Sequence, residues 1–178
     1  SEKTHYSFEK NDKKNKYVSL LNCNYLKGGQ ELLYLVNNLD INIPLLGILT
    51  EKDNKFDKLL IESFEKRNKK KNINKLILDK MDNIADIYKN TEIVLIPSLV
   101  DETYCKVAYE SMCNNLKIIS YNNGNLKYLL KNYHNNIYID NPLQNNDNLI
   151  VDNNTLNKWL NTVKKFYFEK NKYKNIEK

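Results

Sequence analysis

The chain is 178 residues long and 41% apolar, with 28 basic and 22 acidic side chains and a formal net charge of +6. That is enough for one domain with a real core, and no apolar run is long enough to span a bilayer. No charged-then-apolar signal segment opens it, and its lysines are scattered among acids, so neither export nor nucleic-acid binding is the expected role.

In chain order, residues 1–16 form a polar arm or linker with little apolar periodicity. Tyr17–Leu21 reads as a first strand and Lys27–Leu39 as a helix, with Leu32, Leu33, Leu35, Val36 and Leu39 at helical spacing. Ile43–Leu49 reads as a second strand with Pro44 near its start, where a missing donor costs least. A helix over 54–66 carries Phe56, Leu59, Leu60, Ile61 and Phe64, and Leu76–Leu78 is a short third strand. Asp82 is placed to cap a helix holding Ile84, Ile87 and Tyr88. Ile93–Ile96 is the fourth strand, Tyr104–Asn114 a helix and Lys117–Ser120 the fifth strand. A short helix follows Gly124, then a sixth strand at Ile137–Ile139. A closing helix runs from Leu156 to about Phe168, and 169–178 is a polar tail. Strands and helices alternate about six times, and the strands are short continuous apolar runs. That pattern predicts an α/β fold, a doubly wound, mostly parallel six-stranded sheet with helices on both faces, in one domain over 17–168.

Composition says less about chemistry. Roughly one residue in six is Asn, Lys is similarly abundant, and Arg67 is the only arginine. That bias fits an AT-rich coding genome and weakens any inference from charge. Lys69–Lys71 reads as a solvated loop. Cys23, Cys105 and Cys113 lack metal-ligand spacing and read as reduced thiols of an intracellular protein, expected in the cytoplasm or on the cytoplasmic face of a membrane. His5 and His134 are isolated, and no metal site is expected.

Two loops follow strands and carry the chemistry. The first, Asn22-Cys-Asn-Tyr-Leu-Lys27-Gly28-Gly29, joins the first strand to the first helix. Glycine lets backbone approach a ligand, a helix N-terminus offers free N–H groups to an anion, and Lys27 adds a full charge. Those are the parts needed to hold a diphosphate, although a plain strand-to-helix turn has the same look. The second follows Ile93-Val-Leu-Ile-Pro-Ser98 and runs Glu102-Thr-Tyr-Cys-Lys-Val-Ala-Tyr-Glu110. It puts two acids at the carboxyl edge of the sheet, where open α/β folds bind ligands. Taken singly, Glu110 also fits an i,i+4 pair with Lys106, and Glu102 a helix-start acid favoured by the dipole.

Together the two acids, at this spacing after a Pro-Ser strand end, resemble the Glu-x7-Glu signature of group 1 (family 4) retaining glycosyltransferases. Asp82–Ser98, Val107–Met112 and Ile118–Gly124 resemble further segments of that family, and the likeness covers about residues 17–140. It implies the C-terminal, nucleotide-sugar-binding, Rossmann-like half of a GT-B fold, whose missing N-terminal partner domain would hold the acceptor. It implies a nucleotide diphosphate sugar as co-substrate, with no cofactor or metal. Carried over, the catalytic positions are Glu102, orienting the donor sugar, and Lys27, neutralising the leaving diphosphate. The donor-binding positions are Glu110 on the ribose, with Gly28, Thr103, Tyr104, Cys105 and Asn22 around it. The chain differs from the pattern at several places. Cys105 stands for a glycine, Asn125 for the second glycine of the later turn, Tyr128 for a glutamate and Cys23 for a proline. The arginine that commonly partners the lysine is missing. These departures keep open a degenerate, non-catalytic sugar-nucleotide or interaction module. A receiver-like or flavodoxin-like domain is a further alternative, with Asp79 near the place of a phosphoacceptor.

Overall fold

The computed structural model describes residues 16–49, 55–78, 84–142 and 150–169. Six strands form one sheet: β1 (Tyr17–Leu20), β2 (Leu45–Leu49), β3 (Lys75–Leu78), β4 (Thr91–Ile96), β5 (Lys117–Tyr121) and β6 (Asn136–Ile139). Their order is β3-β2-β1-β4-β5-β6, and every neighbouring pair is parallel. The helices between and after them are α1 (Gly29–Asn38), α2 (Lys55–Lys70), α3 (Ile84–Lys89), α4 (Lys106–Cys113), α5 (Leu126–Leu129) and α6 (Asn153–Phe168). The expected doubly wound α/β sheet is present, parallel throughout.

Alternation along the strands sends side chains into separate cores, one on each face. Val18, Leu20, Leu45, Ile93, Leu95, Ile119 and Tyr121 pack with α1, α2 and α6. Val94, Ile96 and Ile118 pack with Ala108 of α4 and Leu126 of α5 on the other face. Leu46, Ile48 and Ile77 meet Ile87 of α3. Both faces being covered explains why the strands read as unbroken apolar runs.

Several boundaries differ from the sequence reading, each for a local reason. The first helix begins at Gly29, because Gly28 adopts φ 113° and ends a separate 3-10 turn at Tyr25–Lys27. Pro44 lies just before β2, yet its carbonyl accepts from the Val18 N–H at 3.0 Å. Helix α2 continues to Lys70, which brings Arg67 into the interior. Helix α6 starts at Asn153, because Asp152 caps it through the Thr155 N–H and Oγ1. The proposed cap Asp82, Asp79 and nearly all of the polar arm and tail fall outside the described residues.

Two buried ionisable side chains tie α1 down. Arg67 donates to the carbonyls of Val36, Leu39, Asp40 and Ile43 and to Asn74 Oδ1, using all five of its N–H groups. It closes the C-terminal end of α1, where carbonyls have no partner within the helix. At the other end Glu31 is fully buried, and Tyr121 Oη donates to its Oε1 at 2.6 Å. Burial pushes the Glu31 carboxyl up to about 7, against the smaller opposing pull of the Tyr121 bond.

Candidate functional site

The strand order reverses between β1 and β4, so their carboxyl ends flank the switch point of the sheet. A cleft of about 220 Å³ opens there, walled by Asn22 and Lys27 on the β1 side and by Ser98, Glu102, Tyr104 and Cys105 on the β4 side. Two loops 75 positions apart in sequence thus share one site.

The first loop is held by its own asparagines. Asn24 accepts the Leu26 N–H on its side chain, and its carbonyl accepts the Lys27 and Gly29 N–H groups. Asn22 Oδ1 accepts the Asn24 N–H, and the buried Cys23 donates its N–H to the Ile48 carbonyl at the end of β2. This is the Asx-turn chemistry that lets Asn shape a loop without regular structure. Gly28 is required by packing: a Cβ there would lie 2.2 Å from Pro97 Cγ, besides its left-handed φ. Its bare backbone lets the loop after β1 lie against the end of β4. The Leu99 N–H then reaches the Leu26 carbonyl at 2.9 Å and ties the two loops together.

Across the cleft, Lys27 Nζ meets Glu102 Oε1 at 2.5 Å, with both side chains partly buried. Thr103 and Tyr104 precede α4 instead of opening it, and both are exposed. Cys105 is the N-cap residue of α4 and gives no side-chain cap bond. Burial raises its thiol above the ordinary range, with Glu102 pushing the same way and Lys27 opposing. It is an apolar wall and not a reactive thiolate.

Glu110 lies on α4 and is not among the residues that line the cleft. Tyr88 Oη of α3 donates to its Oε2 at 2.7 Å, and Lys106 Nζ lies 3.4 Å from Oε1. The i,i+4 pair read from the sequence is therefore present, and a buried tyrosine holds the other oxygen. Burial, with this bond adding to it, raises the Tyr88 phenol so that it stays a donor. Sequence reasoning missed Tyr88 as the partner. It also missed the turn after β5, where Asn125 donates its N–H to the Glu102 carbonyl and its side chain to the Thr103 carbonyl. Only the Gly124-Asn125 pair, standing where a strand meets a short helix, hinted at a close approach. Among the described residues, no three His, Cys, Asp or Glu side chains gather where they could hold a metal ion.

The profile of the family described as glycosyl transferases group 1 matches residues 1–175. The chain belongs to the group 1 glycosyltransferases. Solved structures agree at the level of the fold. A glycosyltransferase from Rickettsia africae is 13% identical with a TM-score of 0.58, over 86% of this chain and 40% of that one. HepE from Anabaena, in complex with UDP, is 14% identical with a TM-score of 0.58, over 85% and 41%. Sucrose-phosphate synthase from Thermosynechococcus elongatus is 15% identical with a TM-score of 0.57, over 84% and 36%. A comparison with curated proteins found no match. This group 1 chain therefore spans about 40% of the length of the solved structures it resembles. Among its described residues no helix is long and apolar enough to cross a membrane.

Proposed function

We propose that this chain is the donor-binding half of a retaining glycosyltransferase that moves a sugar from a nucleotide diphosphate sugar to an acceptor hydroxyl. The observation that carries the proposal is the Lys27–Glu102 pair at the switch point, one cation and one carboxylate meeting across a cleft between two strand-end loops. HepE, with the same fold, is solved with UDP and with UDP-glucose, so a uridine donor is the natural first probe.

The roles follow from charge. Transfer breaks the bond between the anomeric carbon and the diphosphate oxygen, forms one to the acceptor oxygen and releases the acceptor's proton. Negative charge builds on the leaving diphosphate, and Lys27, with amides at the head of α4, stabilises it without a metal. Glu102 accepts hydrogen bonds from the sugar hydroxyls, and Glu110 from the ribose diol. Acceptor and remaining catalytic groups belong to a second domain outside these 178 residues. A second reading, a sugar-nucleotide-binding module without transfer, is favoured by one observation: Arg67, the chain's one arginine, is buried with every N–H engaged beneath α1. Lys27 therefore has no guanidinium from this chain beside it.

Calorimetry with UDP and UDP-glucose tests the proposal. UDP-glucose should bind more tightly than UDP, and Glu102→Gln should erase that difference while leaving UDP affinity in place. Equal binding of both ligands by the unaltered chain, or no binding of either, would overturn it.

A further inference from the structure

We propose that the Asn123-Gly124-Asn125 turn is a positioning clamp for Glu102, and that Asn125 is the residue that fixes where the carboxylate stands in the cleft. The inference rests on the reading of Glu102 as the sugar contact. It assigns the turn a task in donor binding beyond closing β5 onto α5.

The stretch between β4 and α4, residues 97–105, has no ladder or helix of its own to hold it. Three of its carbonyls are taken by the turn. Asn123 Nδ2 donates to Ser98 O at 3.3 Å, the Asn125 N–H to Glu102 O at 2.9 Å, and Asn125 Nδ2 to Thr103 O at 3.0 Å. The last two grip consecutive peptide units, so the chain direction at Glu102 is set as well as its position. Gly124 makes this approach possible. Its φ is +48°, and a Cβ there would lie 2.7 Å from Glu102 N and 3.0 Å from Glu102 O. The two backbones touch, with no room for a side chain between them.

The turn is itself well anchored. The Asn122 N–H donates to the Ile139 carbonyl at the end of β6. The Asn123 carbonyl accepts the N–H of Leu126, and the Asn125 carbonyl those of Tyr128 and Leu129, at the head of α5. Leu126 is fully buried beneath. Glu102 thus has two supports: the turn behind its backbone and Lys27 in front of its carboxylate. A carboxylate that accepts from sugar hydroxyls has to be held to within about 0.5 Å, and a loop with few bonds of its own does not provide that. Asn125 occupies the position where a glycine could supply only the backbone bond. Its side chain adds the second.

The test uses the 178-residue chain and Asn125→Ala. Backbone 15N relaxation on the unliganded protein should show greater motion at the Glu102 and Thr103 amides, with α5 unchanged. In calorimetry the affinity for UDP-glucose should fall about three- to tenfold, the loss of one neutral hydrogen bond, while UDP affinity holds. In the Glu102→Gln background the same substitution should have no further effect, because its influence passes through that carboxylate. A structural role alone would lower both affinities, or add to the Glu102→Gln loss, and either result overturns the clamp. Unchanged motion at Glu102 and Thr103 also overturns it, whatever the ligands do. If motion rises as expected but Glu102→Gln leaves the preference for UDP-glucose intact, the clamp holds the loop and the sugar role of Glu102 is what fails.

Discussion

Lys27 Nζ lies 2.5 Å from Glu102 Oε1, and the two residues come from loops that follow different strands. Each is the other's nearest counter-charge at the switch point. The pair makes the role of the lysine separable from that of the acid.

Lys27→Ala should weaken UDP binding about tenfold or more, the value of a charge-assisted hydrogen bond, and leave uridine binding nearly unchanged. Only phosphates feel the missing charge. Part of the loss comes from Glu102, left as an uncompensated carboxylate facing an anion, so Lys27→Ala with Glu102→Gln should recover some UDP affinity. Calorimetry at two salt concentrations checks this, and the loss should shrink at high salt because Lys27 is partly exposed. Equal losses for UDP and uridine would rule out a phosphate role.

Glu110→Gln should lower ribonucleotide affinity about tenfold or more, since an amide keeps one acceptor and turns a donor toward the ribose diol. Binding of 2′-deoxyuridine diphosphate should be nearly insensitive to the change. The melting temperature should move little, because the retained acceptor can still take the Tyr88 hydroxyl and the Lys106 pair is on the surface. A sharp drop in melting temperature with ribonucleotide affinity intact would make Glu110 a structural acid.

Stability should fall as pH rises between about 4.5 and 7, and Glu31 is the reason. Its carboxyl is raised from 4.5 to about 7 in the folded chain. In that window the folded state binds the proton that the unfolded state has released, so each step up in pH favours unfolding. The effect is complete above 7 and amounts to roughly 3 kcal/mol at about 1.4 kcal/mol per unit of pKa. Glu31→Gln mimics the protonated form and should flatten this slope and raise the melting temperature at pH 8. Parallel melting curves of the two proteins from pH 4.5 to 8 would refute the assignment.

Arg67→Ala should destabilise the chain by about 3 kcal/mol or more, measured by denaturant titration. It removes a buried cation's hydrogen bonds to the Val36, Leu39 and Ile43 carbonyls, while Asp40 O keeps the Ile43 N–H and Asn74 Oδ1 keeps the Leu45 N–H. Arg67→Lys should recover only part, because an ammonium has three donors on a point and not five on a planar fork. Recovery of full stability by lysine would show that charge alone is what the site needs.

The sequence reading reached the two loops that meet at the switch point. Lys27 and Glu102 each follow an apolar run that ends in turn residues, and in a parallel sheet such positions gather at one edge. Glu31 was also within reach: four places before Leu35, it falls on the buried stripe of α1. The rise in its carboxyl was out of reach, since that comes from the layers that bury it, and so was its partner Tyr121, which is 90 positions away. Gly28 read as room for a ligand, yet the space it leaves is filled by Pro97.

Local pattern determined the elements, their alternation and hence the doubly wound α/β class, because periodicity reports which side of each segment is dry. It also marked the acids of 102–110 as edge residues, and the family profile over 1–175 agrees with the resemblance they carry. What only the tertiary structure decided is partnership. The strand order put β4 beside β1 and so set Lys27 against Glu102. The turn after β5 reached the Glu102 backbone, α3 supplied Tyr88 to Glu110, and α2 carried Arg67 under α1. Each of these is a hydrogen bond or ion pair across the fold. Their geometry comes from how whole layers pack, which no residue's immediate neighbours in the chain encode.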